Sequence, residues 1–119
     1  MGDLRVRTRG FALRIIRMYS ALPQGQVAQV LGKQVLRSGT SVGAHYREAH
    51  RARSDAEFLS KMRLALQELD ETAYWLELLV EAEIVPAARL VELQQETEEL
   101  IAIFVTIAKK VDTNGKRRG

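Results

Sequence analysis

Apolar residues recur at intervals of three and four positions along most of this chain, which is the period of an amphipathic helix. Pro23 and Pro86 divide the pattern, because a proline inside a helix removes a hydrogen bond and clashes with the preceding turn. Before Pro23, Phe11 and Ile15 lie on the apolar face of a first helix, predicted over about residues 4–21. Pro86 suits the first position of a last helix.

The sixty-two residues between the prolines are too many for one ordinary helix. Ser54-Asp55-Ala56-Glu57 has the form of a capping box, in which the Ser54 hydroxyl accepts from the amide of Glu57 and the Glu57 carboxylate accepts from the amide of Ser54. We therefore predict a second helix over about residues 26–51 and a third over about residues 55–83.

The last helix carries a heptad seam, since its apolar positions from Leu90 to Val111 alternate in steps of three and four. Asn114 and Gly115 are predicted to end it, and residues 111–119 are expected to form a frayed basic tail. Four helices with short connections predict one all-α domain over residues 1–119, an antiparallel four-helix bundle in up-down-up-down order. No sheet is expected.

The third helix has two apolar lines, which is more than the interior of one bundle needs. Tyr74 and Trp75 are adjacent, so their side chains leave the helix about 100° apart and do not point into the same core. We expect one ring to pack inside the protomer and the other to reach a neighbouring subunit. The predicted oligomer interface comprises Tyr74, Trp75 and Leu78.

The composition favours helices and excludes several kinds of functional site. Of the 119 residues, 46% are hydrophobic and 6% aromatic, and there is no cysteine for a disulfide, a thiol nucleophile or a thiolate metal site. The longest apolar run has nine residues, against the ~20 needed to span a bilayer, and the first residues lack the apolar region of a signal peptide. We expect a cytoplasmic protein without a membrane partner.

The two histidines do not suggest a reaction. His45 and His50 are five residues apart, so on a helix their side chains point in directions about 140° apart around the axis. They therefore do not form an i, i+4 metal-binding pair. Neither belongs to a Glu-x-x-His motif of the kind that builds carboxylate metal sites in bundles. We predict no enzymatic activity, no catalytic residue, no metal site and no cofactor.

Charge is segregated along the chain. Residues 55–99 contain twelve acidic and three basic residues, a balance of −9, whereas the remaining chain contains fifteen basic and three acidic residues, a balance of +12. A surface with two signs of charge attracts a polyanion, or it attracts another copy of itself.

Basic residues of the second helix are the first candidates for contact with phosphate. Lys33, Arg37, Arg47 and Arg51 fall within one broad sector of that helix, and Arg53 follows it. The alternative is that these charges form a solvated face or pair with acids of the third helix. Arg37, beside a cluster of small residues, is the one we expect to be structural.

A second basic cluster lies on the first helix and comprises Arg5, Arg7, Arg9, Arg14 and Arg17. Within it, Arg7, Arg14 and Arg17 share a side away from Phe11 and Ile15, and they complete the candidate nucleic-acid-binding set. No aromatic side chains interleave with them, so we expect contact with the sugar-phosphate backbone rather than stacking on bases.

Small side chains cluster in the second helix, which contains Gly39 and Gly43 four residues apart. Close packing of another helix is the first interpretation, and a kink that exposes the backbone to a ligand is the alternative. The same region carries a family pattern. Its segments are Leu36-Arg37-Ser38-Gly39-Thr40-Ser41-Val42-Gly43-Ala44, Tyr46-Arg47-Glu48-Ala49, Arg51-Ala52-Arg53-Ser54, Ala56-Glu57-Phe58, Asp70-Glu71-Thr72 and Tyr74-Trp75-Leu76-Glu77-Leu78-Leu79.

Together these segments resemble a family of small four-helix-bundle proteins. The family includes proteins encoded in intervening sequences of bacterial large ribosomal RNA, and the accessory variability proteins of diversity-generating retroelements. The resemblance implies a protomer of four helices in a ring-shaped homopentamer, with a basic surface proposed to bind nucleic acid. It also implies, for some relatives, association with a reverse transcriptase.

Two functional hypotheses follow. The first is a non-enzymatic, oligomeric protein that binds RNA or DNA through its basic residues. The second is a scaffold for protein–protein interaction, in which the same arginines pair with acidic residues across subunits and no nucleic acid is bound.

Overall fold

The structure, a computed structural model, describes the backbone of residues 3–118 and the side chains of residues 3–115. Its helices are α1 (Leu4–Ser20), α2 (Gln26–His50), α3 (Asp55–Glu81) and α4 (Ala87–Arg118). Helices account for 87% of the described residues, which contain no strand. The predicted fold class and the three predicted breaks are confirmed.

Each helix packs mainly against its neighbour in sequence, and α1 and α4 close the bundle with the fewest contacts. The seam of α4 faces inward as predicted, with Leu90, Leu93, Thr97, Leu100 and Phe104 all buried. The assembled helices measure 53 × 22 × 21 Å. The long dimension follows from α4, whose 32 residues span about 48 Å at 1.5 Å per residue.

Side-chain caps fix the starts of two helices. Asp3 accepts a hydrogen bond of 2.8 Å from the amide of Arg5 at the start of α1. Ser54 accepts one of 3.1 Å from the amide of Glu57 at the start of α3, as the capping box predicts. The reciprocal bond differs by one residue, because the Glu57 carboxylate accepts from the amide of Arg53, at 3.3 Å, and not from that of Ser54.

The glycines of α2 allow α1 to approach closely. A Cβ atom placed on Gly39 would lie 2.8 Å from Cγ1 of Ile15, and one on Gly43 would lie 3.2 Å from Oγ1 of Thr8. Since α2 is one continuous helix from Gln26 to His50, the packing interpretation of the small-residue cluster is correct and the kink is absent.

The predicted end of α4 is wrong. The helix continues through Asn114 and Gly115 to Arg118, and the tail predicted for residues 111–119 is helical as far as that residue, with Gly119 outside the described residues. A glycine ends a helix by adopting positive φ, and no glycine in the described part of the chain does so. Gly115 instead lies beside the start of α3, where a Cβ on it would be 3.9 Å from Oδ2 of Asp55.

Candidate nucleic-acid interface

Four arginines converge where the first turns of α1 meet the last turns of α2. Arg5 and Arg9 extend from α1, Arg47 from the last turn of α2 and Arg51 from the C-cap position that follows it, around a cleft of about 520 Å³ that is also lined by Asp3, Val6 and His50. Both pairs are spaced i, i+4, and within the helix α1 this spacing makes Arg5 and Arg9 neighbours on one face. We refer to Arg5, Arg9, Arg47 and Arg51 as the arginine cleft.

None of these four arginines forms an ion pair with a carboxylate among the residues that the structure describes. The acidic residue of the lining, Asp3, is engaged as the N-cap of α1. Arg5, Arg9, Arg47 and Arg51 are all exposed to solvent. With four arginines and the one carboxylate of Asp3 in its lining, the cleft carries a net positive charge.

Arg7, by contrast, is held by acids of α4. Its Nε donates to Glu96 at 2.8 Å, and its Nη2 donates to Glu96 at 2.7 Å and to Glu99 at 3.0 Å. The hydrogen bond with Glu96 raises the pKa of Arg7 and lowers that of Glu96. Arg7 was predicted to bind nucleic acid, but its guanidinium is occupied in joining α1 to α4.

Arg37 is held in the same way by acids of α3. Its Nη1 donates to Glu68 Oε2 at 3.2 Å, and its Nη2 donates to Glu71 at 2.6 Å. The negative charge of Glu68 has the largest effect on the pKa of Arg37, and it raises that pKa. The expectation that Arg37 is structural agrees with this geometry, and Arg37 does not join the arginine cleft.

The remaining candidates are spread over the molecule. Lys33 is exposed on α2 but stands 14 residues before Arg47, about 21 Å along the helix. Arg53 lines a neighbouring cavity of about 360 Å³, which shares His50 with the arginine cleft. On α1, Arg14 is half-buried and Arg17 is exposed. Only Arg47 and Arg51 of the predicted set line the cleft, with Arg53 beside it.

Arg5 and Arg9 were recognised as basic but were not selected from the sequence. The signal that identifies them is topological: a connection of five residues, 21–25, makes α1 and α2 antiparallel neighbours. The first turns of α1 must then lie beside the last turns of α2, which brings Arg5 and Arg9 to Arg47 and Arg51.

The residues of the predicted oligomer interface differ in burial within the protomer. Trp75 is half-buried and packs against the core, while Tyr74 is 53% exposed and Leu78 is half-buried. The two adjacent rings contact each other, with centroids 5.2 Å apart and planes tilted by 56°, and the ring of Trp75 is the more buried of the two. The Nε1 atom of Trp75 is buried without a hydrogen-bond partner among the described residues.

The histidines have structural surroundings. His45 Nδ1 lies 3.0 Å from Glu48 Oε1, and Lys61 donates to Glu48 Oε2 at 3.4 Å. The hydrogen bond with His45, and then that with Lys61, lowers the pKa of Glu48. His50 packs edge-to-face on Tyr46, with ring centroids 4.6 Å apart. Within residues 3–115, no three His, Asp or Glu side chains are grouped as metal ligands.

No helix in the described part of the chain is long and apolar enough to cross a membrane.

Comparison with known proteins places this geometry in a family. A protein of unknown function from the S23 ribosomal protein family of Bacteroides thetaiotaomicron has a solved structure similar to this one, with a TM-score of 0.84 and 38% sequence identity, over 90% of this chain and 99% of that chain. No curated protein matches the chain significantly. The family model of the 23S rRNA-intervening sequence proteins matches residues 3–106. The resemblance inferred from the segments of α2 and α3 is thereby confirmed, and the chain belongs to the 23S rRNA-intervening sequence protein family.

Proposed function

We propose that this protein is a non-enzymatic, oligomeric protein that binds the backbone of RNA or DNA through the basic surface formed by α1 and the end of α2. The observation that carries the proposal is the arginine cleft, in which four guanidinium groups converge without a carboxylate partner within the described residues. Arginines that serve the fold, such as Arg7 and Arg37, are paired with acids instead.

Recognition of this kind acts through charge. Arginine donates two parallel hydrogen bonds to a phosphate group, and each neutralised phosphate releases counterions from the nucleic acid. The cleft lining contains one aromatic ring in the described chain, the imidazole of His50, which packs edge-to-face on Tyr46, while the exposed ring of Tyr74 lies on α3 outside the lining. We therefore expect contact with phosphate to contribute more than stacking of bases. Binding should consequently depend weakly on sequence.

A salt titration tests this function. Fluorescence anisotropy with labelled single-stranded and duplex RNA and DNA, from 50 to 300 mM salt, should give a steep linear fall of log K with log salt. Four phosphate contacts predict a slope of about −3 for a single strand. Negligible binding of every nucleic acid at the lowest salt would contradict the proposal and favour the scaffold hypothesis.

We also propose that the protomers form a closed homo-oligomer, with five subunits as the number that the family resemblance favours. Two features support it: the exposed Tyr74, and the segregation of acids into residues 55–99. A basic part of one subunit then meets an acidic part of the next, and such head-to-tail contacts close into a ring when the rotation between neighbouring subunits permits. Mass photometry should give about five times the chain mass of 13.4 kDa.

A protein partner follows from the same resemblance. Some relatives associate with a reverse transcriptase, so an enzyme of that class is the first partner to test by co-purification. If the two proteins contact each other directly, the reverse transcriptase should still co-purify after a salt wash in the presence of nuclease. Loss of the complex on nuclease treatment would mean that the two proteins only bind the same nucleic acid.

A further inference from the structure

We propose that the groove between α1 and α2 holds the phosphodiester backbone of one nucleic-acid strand, with the arginine cleft at its open end. This inference rests on the proposed function and assigns the site, the strand state and the mode of contact.

The groove is longer than the cleft alone. A second cavity of about 270 Å³ lies between the same helices and shares Arg5, Arg9 and Arg47 with the cleft. Its remaining lining consists of small side chains, namely Thr8, Ala12, Thr40, Gly43 and Ala44. The two cavities adjoin at these three arginines and together outline the groove, which has a floor of small residues and arginines on both sides.

The small floor has a physical cause in the packing of α1 on α2. Gly43 lets Thr8 approach, since a Cβ there would already be 3.2 Å from the Thr8 hydroxyl oxygen. Thr8 is buried and satisfies its hydroxyl locally, donating to the carbonyl of Leu4 at 2.7 Å. The Thr8 hydroxyl is therefore not available as a donor to a ligand, and the arginines are the donors that remain.

The spacing of the arginines fits successive phosphates. Residues at i, i+4 are about 6 Å apart along a helix axis, a distance similar to that between neighbouring phosphates of a strand. Arg5 and Arg9 form one such pair and Arg47 and Arg51 the other, on antiparallel helices. A single backbone lying between the rows receives guanidinium donors from both sides, whereas a duplex meets the groove along only one edge.

The charge of the lining identifies the ligand as an anion. Four arginines and one aspartate, Asp3, line the cleft, so its net charge is positive. An anion that binds there binds the folded protein and not the unfolded chain, and it therefore stabilises the fold. Phosphate compounds should therefore raise the melting temperature more than sodium chloride at equal ionic strength.

The test compares two variants with the same change of charge. Arg9→Gln with Arg47→Gln removes one arginine from each row. Arg63→Gln with Arg89→Gln removes two exposed arginines that lie outside the groove lining. Circular dichroism confirms that both variants are folded, and mass photometry reports their assembly.

We expect the groove variant to bind a single-stranded 12-mer at least about tenfold more weakly than the wild type at 50 mM salt, with its salt slope reduced by about 1.4. The control variant should lose less than about threefold. Sodium pyrophosphate should raise the melting temperature of the wild type and of the control, but not that of the groove variant.

Other results overturn the inference in distinguishable ways. Equal loss of affinity in both variants would show that the groove is not the binding site, and the proposed function would be unaffected. Tighter binding of a duplex than of a single strand would overturn the strand assignment. A groove variant with altered assembly and unaltered affinity would place these arginines in a subunit contact. Absence of nucleic-acid binding by the wild type would contradict the proposed function itself.

Discussion

At the scale of the residue, Arg37 neutralises an acid that is almost buried. The side chain of Glu68 is only 11% exposed, and Arg37 is the basic residue paired with it. Arg37→Ala leaves that carboxylate without its partner, so we expect the free energy of unfolding to fall by about 1–2 kcal/mol. Urea denaturation measures the change. Lys33→Ala, at an exposed position of the same helix, should stay within about 0.5 kcal/mol, and equal effects would contradict the structural role of Arg37.

The ion pair of Arg7 with Glu96 should make stability depend on pH. The hydrogen bond from Arg7 lowers the pKa of Glu96 in the folded protein. The pair therefore stabilises the fold fully at pH values above the pKa of Glu96 in the unfolded chain, about 4.3. This stabilisation is lost as the pH falls through the lower pKa of Glu96 in the folded protein. Glu96→Gln should destabilise the protein by about 1 kcal/mol at pH 7, and the difference from wild type should shrink by pH 3. Thermal unfolding at both values measures it. Glu92→Gln, at an exposed position, should differ little at either pH.

The arginines also mark where prediction from the sequence fails. Arg37 and Arg47 lie ten residues apart on α2, yet one meets two carboxylates of α3 and the other meets none in the described structure. Both are arginines, and each lies four residues from another basic residue, Lys33 for Arg37 and Arg51 for Arg47. The difference depends on how α2 is rotated against α3, and that rotation is set by packing of the whole core rather than by local sequence.

At the scale of the element, Ser54 determines where α3 begins. Its hydroxyl accepts from the amide of Glu57, so Ser54→Ala should cost about 1 kcal/mol of stability. Ser60→Ala is the matched control, because Ser60 is exposed within the same helix and alanine is favoured there. An unchanged thermal midpoint in Ser54→Ala would mean that the cap does not stabilise α3.

The contact of α2 with α1 depends on its glycines. Gly43→Leu forces a large side chain against Thr8, and overpacking of this kind costs about 1–3 kcal/mol. Gly10→Ala is the control, since a Cβ on Gly10 meets no atom within 4 Å and alanine is the better helix former. That variant should gain about 0.5–1 kcal/mol in urea denaturation. Normal stability of Gly43→Leu would contradict the close approach.

The helix boundaries show which elements the sequence determines. The capping serine and the two prolines act locally, and all three breaks lie where they predict. The end of α4 was not predictable in this way, because Asn114-Gly115 permits a stop without requiring one. There the helix continues beside the start of α3, a neighbour that only the assembled bundle supplies.

At the scale of the whole molecule, the acidic and basic residues are segregated, and the end of α4 is basic like α1 and α2. The acids concentrate in residues 55–99, which comprise α3 and the first part of α4, while the arginine cleft lies between α1 and α2. In the proposed function, repulsion by these acids directs a polyanion to the α1–α2 side. Since the proposed head-to-tail contact also uses a basic part of the protomer, a ring that carries a strand requires that this part lie outside the arginine cleft.

The proposed assembly uses the α3 surface around Tyr74. Tyr74 is 53% exposed, and Leu78, one turn later, is half-buried beside it, whereas Trp75 belongs to the inside of the protomer. Tyr74→Ser removes the largest exposed apolar group of this surface while leaving the core intact. We expect the oligomer to dissociate in this variant, because the centre of an interface is where an aromatic side chain contributes most.

Mass photometry at nanomolar and sedimentation at micromolar concentration measure the effect. Val27→Ser is the control, since Val27 is 63% exposed on α2 and is not part of the α3 surface around Tyr74, so its loss should leave the oligomer unchanged. A monomeric wild type at micromolar concentration would refute the assembly, whereas an oligomer that persists in Tyr74→Ser would move its interface elsewhere. Because the proposed strand site lies on α1 and α2, a monomeric Tyr74→Ser should still bind a short single strand, and it should lose only the affinity that several linked sites add on a long one.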